Sequence, residues 1–160
     1  MDMARVSVVQ TRPDDWAYLS EGGSTIVFSY TGPLSTFTGK VLRLRKISLA
    51  GAVHDKVIGQ EDDDPVIVFQ KTVIATLVSS KYLPELDVIF LDPQWLVELG
   101  ELRNHDRPAE RQKKDQIDKT RQKGLLATDL IGGDILAIEI KVQLKSSYSD
   151  HTIITNHQPV

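Results

Sequence analysis

Residues Glu21 to Lys46 read EGGSTIVFSYTGPLSTFTGKVLRLRK, and this stretch decides the fold. A double glycine separates two runs rich in β-branched and aromatic residues, Trp16 to Ser20 and Thr25 to Tyr30. That pattern predicts two strands joined by a tight bend. Glycine at positions 22 and 23 lets the backbone reach positive φ and come close to a ligand. After a loop carrying Gly32-Pro33, the run Gly39 to Lys46 alternates apolar and basic residues. Leu42 and Leu44 point one way and Arg43 and Arg45 the other, as period two requires; Val41 does not fit a strict face. Amides at a glycine bend and cations on a neighbouring strand can converge on one anion, which is a way to hold polyphosphate. An ordinary hairpin beside a charged edge strand has the same pattern.

Working outward, Glu61-Asp62-Asp63-Asp64-Pro65 reads as a helix start, with Asp64 as N-cap and Pro65 at the first helical position. A divalent-cation site is the competing reading, but no calcium-loop pattern follows. Val66, Ile67, Phe69, Val73, Ile74 and Leu77 then fall on one helical face, expected to pack on the sheet beside Arg43. Asp87 to Leu91 reads as a strand. Asp92-Pro93 repeats the cap signal before Trp95, Leu96, Leu99 and Leu102, and Trp95 reads as core rather than a stacking platform. Ile47 to Gly59 reads as a loop or weak element, and Val6 to Val9 as an edge strand stopped by Pro13. Asn104 to Lys123 is the most hydrophilic segment and reads either as a solvated charged face or as a surface offered to polyphosphate. Arginine suits the second role, because its planar fork grips two phosphate oxygens at once. Gly124 to Ala127 and Ile135 to Lys141 read as two strands joined through Asp129 to Asp134, with Glu139 and Lys141 on one face of the second.

The 160 residues are 41% hydrophobic and 26% charged, with a formal net charge of −3 and no cysteine. One globular domain is expected, without disulfides or thiolate metal sites. The charge disfavours nucleic acid as a partner. No apolar run is long enough to span a bilayer, and the N-terminus lacks a signal-peptide core, so no membrane partner is expected and the location is read as intracellular. His151 and His157 are too few and too far apart to make a metal site.

Three elements, in order, resemble the inositol-pentakisphosphate 2-kinase family. They are Asp15-Trp16 with Glu21-Gly22-Gly23 and Gly39 to Lys46; Arg107-Pro108-Ala109-Glu110-Arg111, similar to an Arg-Pro-x-x-Arg element; and Ala137-Ile138-Glu139-Ile140-Lys141, similar to a Glu-Ile-Lys strand. The likeness spans about Asp14 to Lys141. It implies an α+β fold, a kinase-like N-terminal lobe in which helices pack on an antiparallel sheet. It also implies transfer of the ATP γ-phosphate to the 2-hydroxyl of inositol pentakisphosphate, giving inositol hexakisphosphate. The cofactors would be ATP and Mg2+, the state a monomer, and the compartment nucleus or cytoplasm.

By the same resemblance Glu21, Gly22, Gly23, Ser24, Thr25, Arg43, Asp129 and Glu139 would hold the nucleotide, with Glu139 beside the adenine. Arg111 and Lys141 would meet inositol pentakisphosphate. No protein metal ligand is implied within the chain, because the family's catalytic and magnesium-binding aspartates lie downstream. The sequence departs from the family at Thr25, where an asparagine is usual, and around Thr128 and Leu130, where only Asp129 is kept. After Lys141 the family continues Pro-Lys, whereas here Val142-Gln143 follow. Residues 1–141 are therefore expected to form the lobe and 142–160 a disordered, non-matching tail. Such a chain is expected to hold ATP weakly and to lack turnover by itself. The alternative is a non-catalytic α+β module that binds a partner protein or an anionic ligand. A single-strand nucleic-acid binder is a third reading, resting on Tyr18, Phe28 and Tyr30 near Arg43.

Overall fold

A computed structural model of the chain describes residues 6–51 and 61–130. Six strands form one antiparallel sheet: β1 (Trp16–Glu21), β2 (Thr25–Tyr30), β3 (Lys40–Ser48), β4 (Leu86–Phe90), β5 (Asp115–Ile117) and β6 (Lys123–Thr128). The spatial order is β1-β2-β3-β6-β4, with β5 paired to the far end of β3. The expected α+β class with an antiparallel sheet is what the chain adopts. β3 is the central member and extends through Ser48, two residues into the segment read as a loop. The β6 half of the expected 124–141 hairpin pairs with β3 and β4. Its other half, with Glu139 and Lys141, lies outside the described residues, as does the 142–160 tail.

The alternation along β3 works as read. Leu42 and Leu44 are fully buried among Ile26, Phe28, Ile89 and Leu126. The helix Pro93–Arg103 closes this face with Trp95, Leu96 and Leu99. Trp95 is core, and its indole nitrogen donates to the Thr11 carbonyl at 3.1 Å. Asp92 caps that helix, its carboxylate accepting from the Trp95 amide at 2.9 Å. Burying four aromatic rings, Trp16, Phe28, Phe37 and Trp95, removes large apolar areas from water and stabilises this side together with the aliphatic side chains around them. Val6 to Val9 adds no full strand, but the Phe90 amide bonds the Val6 carbonyl and Ser7 bridges to Phe90.

On the other face, residues 65–77 form one helical run: α-helical at Pro65–Phe69, π-helical at Gln70–Ile74, and α-helical again at Ala75–Leu77. Asp64 caps it as expected, accepting from the Val66 amide at 2.9 Å. The cap reading of the acidic run holds, and its neighbours pair with basic side chains: Glu61 with Arg121 and Asp63 with Lys123. The expected apolar face packs only in part. Ile67 is buried, whereas Val66, Phe69, Val73 and Leu77 stay exposed. Helical spacing fixes which residues share a side; it does not create a surface to cover them.

Candidate functional site

The site is built around the bend between β1 and β2. The Gly22 amide donates to the Thr25 carbonyl at 2.9 Å, and the Ser24 carbonyl accepts from the Lys46 amide at 2.9 Å, tying the bend to β3. Gly22 and Gly23 do not use the positive φ that glycine permits; among the described residues only Gly39, at φ 70°, does. A side-chain carbon added at either bend glycine would meet nothing within 4 Å. Neither backbone strain nor internal packing therefore demands glycine at this exposed bend.

Register sorts the candidate residues onto two faces. Thr25 pairs with Arg45 and Val27 with Arg43 on β2–β3, and Arg43 pairs with Leu125 across to β6. Thr25, Val27 and Ser29 thus share a face with Val41, Arg43, Arg45 and Leu125, opposite the aromatic core. A small cavity of about 80 Å³ opens there, lined by Ser24, Thr25, Arg43, Arg45, Asp64, Val66 and Leu125. Arg45 is engaged: its guanidinium reaches Asp64 at 2.8 and 3.1 Å and Ser24 at 3.4 Å. Arg43 is not. Among the described residues no side chain or carbonyl accepts a hydrogen bond from it and no carboxylate pairs with it. At the far end of the same face, Ser29 donates to the Asp129 carboxylate at 2.8 Å, and the Asp129 amide bonds the Gly39 carbonyl. Four residue steps along β2 carry the chain from Thr25 to Ser29, a span of about 13 Å.

Glu21 lies on the other face. Its carboxylate joins a buried cluster whose four side chains are 2–9% exposed. Lys46 Nζ sits 3.0 Å from Glu21 and 3.1 Å from Asp115. Arg107 holds Glu21 through Nη2 at 2.8 Å and Nε at 3.3 Å, and donates to the Asp115 carboxylate at 2.5 Å and carbonyl at 2.9 Å. Burial works against both carboxylates' charge, but hydrogen bonds from Arg107 and Lys46 outweigh it, and both are held below their ordinary pKa. Arg111, on the short helix Ala109–Gln112, donates to the Gly22 carbonyl at 3.3 Å.

The structure therefore gathers Gly22, Gly23, Ser24, Thr25 and Arg111 around one bend. It sets Arg43 beside Ser24 and Thr25, and Asp129 at the far end of that face. It turns the Glu21 carboxylate to the opposite side. Sequence reasoning missed Arg107, Lys46 and Asp115 as a unit, since Glu21 and Arg107 are 86 positions apart. Among the described residues no group of three or more His, Asp or Glu side chains could hold a metal ion. Asp64, the carboxylate lining the small cavity, is engaged by Arg45 and by the Val66 amide. Among the described residues no helix is long and apolar enough to cross a membrane.

Fold and site together define a class: an α+β lobe in which a glycine bend meets a cationic central strand on one face of an antiparallel sheet. The chain matches the family described as inositol-pentakisphosphate 2-kinase over residues 18–145. Two proteins named inositol-pentakisphosphate 2-kinase, from Cryptococcus neoformans var. neoformans serotype D strains JEC21 and B-3501A, are each 34% identical to it over 139 residues. The alignment covers 82% of this chain and 32% of each relative, so the chain spans about a third of their length. The chain belongs to the inositol-pentakisphosphate 2-kinase family.

Proposed function

We propose that residues 1–141 form the nucleotide-side lobe, kinase-like in arrangement, of an enzyme that transfers the ATP γ-phosphate to the 2-hydroxyl of inositol pentakisphosphate. The observation that carries this reading is Arg43: a half-buried strand arginine without a described partner, in a cavity shared with Ser24 and Thr25 beside an open glycine bend. A guanidinium sharing a cavity with Ser24 and Thr25 suits a phosphate oxyanion.

In this arrangement Gly23, Ser24 and Thr25 offer backbone and hydroxyl donors to the nucleotide phosphates, Gly22 closes the bend through its amide bond to Thr25, and Arg43 offers charge. Asp129 and Glu139 would meet the base and ribose end, and Arg111 and Lys141 the inositol phosphates. Mg2+ would enter on the nucleotide and screen its phosphates; the described carboxylates supply no site of their own for it. Phosphoryl transfer depends on positioning and charge stabilisation. These residues supply the nucleotide share of both, and binding without appreciable turnover is expected of this chain alone.

Calorimetric titration of Mg-ATP into the purified chain tests the reading. Saturable binding is expected, weakened ten- to a hundredfold in Arg43→Ala, the effect of removing a charge-assisted contact worth about 1.5–3 kcal/mol. A wild-type chain that takes up no nucleotide would refute it.

A further inference from the structure

We infer that Arg107 is a positioning residue for the glycine bend: by gripping Glu21 it fixes Gly22-Gly23, and so sets how tightly the bend holds phosphate. The second half of this inference rests on the proposed nucleotide site; the first half stands on geometry alone.

β1 carries a bulge just before the bend. Tyr18 pairs with Phe28, yet Ser20 pairs with Val27, so one residue is extra between them. Were all four residues from Tyr18 to Glu21 paired in regular alternation, Glu21 would fall opposite Thr25, on the Arg43 face. With the bulge, Glu21 pairs with Ile26 and turns to the opposite side. Bulges re-aim side chains in this way. The side chain so re-aimed is the last one before the bend, and it ends in the buried cluster.

Arg107 is itself held rigidly. Asp115 takes its guanidinium through both carboxylate and carbonyl oxygens, and Gln112 donates to its backbone carbonyl at 2.7 Å. The four side chains comprise two cations and two anions and so compensate one another's charge. Backbone bonds from Gly22 to Thr25 and from Lys46 to Ser24 close the bend, but its glycines have no side chain to hold and both positions are open. Its N-terminal side is therefore set by the hold of Arg107 and Lys46 on Glu21. A lysine at 107 would keep the charge but could not fork across Glu21 and Asp115 together.

The experiment compares the full chain with Arg107→Lys, Glu21→Asp and, as a stability control in the distant core, Ile89→Val. Thermal melts establish that each is folded. Amide hydrogen exchange over residues 19–25 is read without nucleotide, and Mg-ATP affinity is read by titration. Faster exchange at the bend and about five- to tenfold weaker ATP binding are expected in Arg107→Lys and Glu21→Asp, with Ile89→Val matching wild type in both. Should Arg107→Lys fail to fold, Glu21→Asp carries the comparison. Unchanged bend exchange in the folded clamp variants would overturn the inference, as would equal acceleration in Ile89→Val. If wild type binds no ATP, the proposed function falls and the exchange measurement alone decides the clamp.

Discussion

Arg45 and Asp64 are joined through two nitrogens of one guanidinium, Nη2 at 2.8 Å and Nε at 3.1 Å from the same carboxylate oxygen. The other oxygen of Asp64 caps the helix at Val66. One side chain thus fastens the start of that helix to the central strand and occupies the arginine next to Arg43. Partly exposed ion pairs contribute little, whereas a lost cap costs about 1–2 kcal/mol. Asp64→Ala should lower stability in urea by about that amount. It should not weaken nucleotide binding, because it frees a second cation beside the cavity.

Arg43→Ala should behave in the opposite way. With no described partner to lose, stability should change by no more than about 0.5 kcal/mol. Affinity for Mg-ATP should fall ten- to a hundredfold, and Arg43→Lys should recover part of it. Matched urea melts and titrations separate the two effects.

The glycines divide into two groups. Gly22→Ala and Gly23→Ala meet open space without positive φ, so the fold should tolerate both while nucleotide affinity falls. Gly32→Ala would press its new methyl group against the Asp15 carboxyl carbon and the Tyr30 ring, each about 2.6 Å away. Overpacking of this kind costs about 1–3 kcal/mol. Thermal melts of the three variants should single out Gly32→Ala.

The buried cluster predicts the acid limb of stability. Glu21 and Asp115 sit below their ordinary values of 4.5 and 3.8 in the folded chain. Their contribution is complete above those values and is lost as pH falls through the depressed folded ones, because the unfolded chain binds protons first. Urea melts should show a plateau near neutrality and a decline below about pH 4. Glu21→Gln should be less stable at neutral pH, and the gap to wild type should narrow on acidification. A constant gap would contradict the assignment.

Local signals were legible because their causes are local. Asp64-Pro65 and Asp92-Pro93 announce helix starts through chemistry confined to one turn, and the alternation of Leu42, Arg43 and Leu44 fixes two faces by geometry alone. The segment Asn104 to Lys123 was not legible. It reads as a solvated charged run, yet Arg107, Asp115 and Asp118 are buried in it, because compensating partners such as Glu21 and Lys46 arrive from distant strands. The direction of Glu21 was hidden for a related reason: the bulge before it reverses the parity that alternation predicts. Of the candidate site, the bend and Arg43 could be read from pattern, while Arg111 stood out from Arg107 only by family resemblance.

The most direct measurement is the map of backbone amide shifts in the isotopically labelled chain as Mg-ATP is added. Nucleotide held at the glycine bend should give saturable changes concentrated at Gly22 to Thr25 and Val41 to Arg45, and weaker changes near Asp129. Changes confined to the opposite face, around Gly100 to Lys119, or no saturable change at all, would contradict that placement.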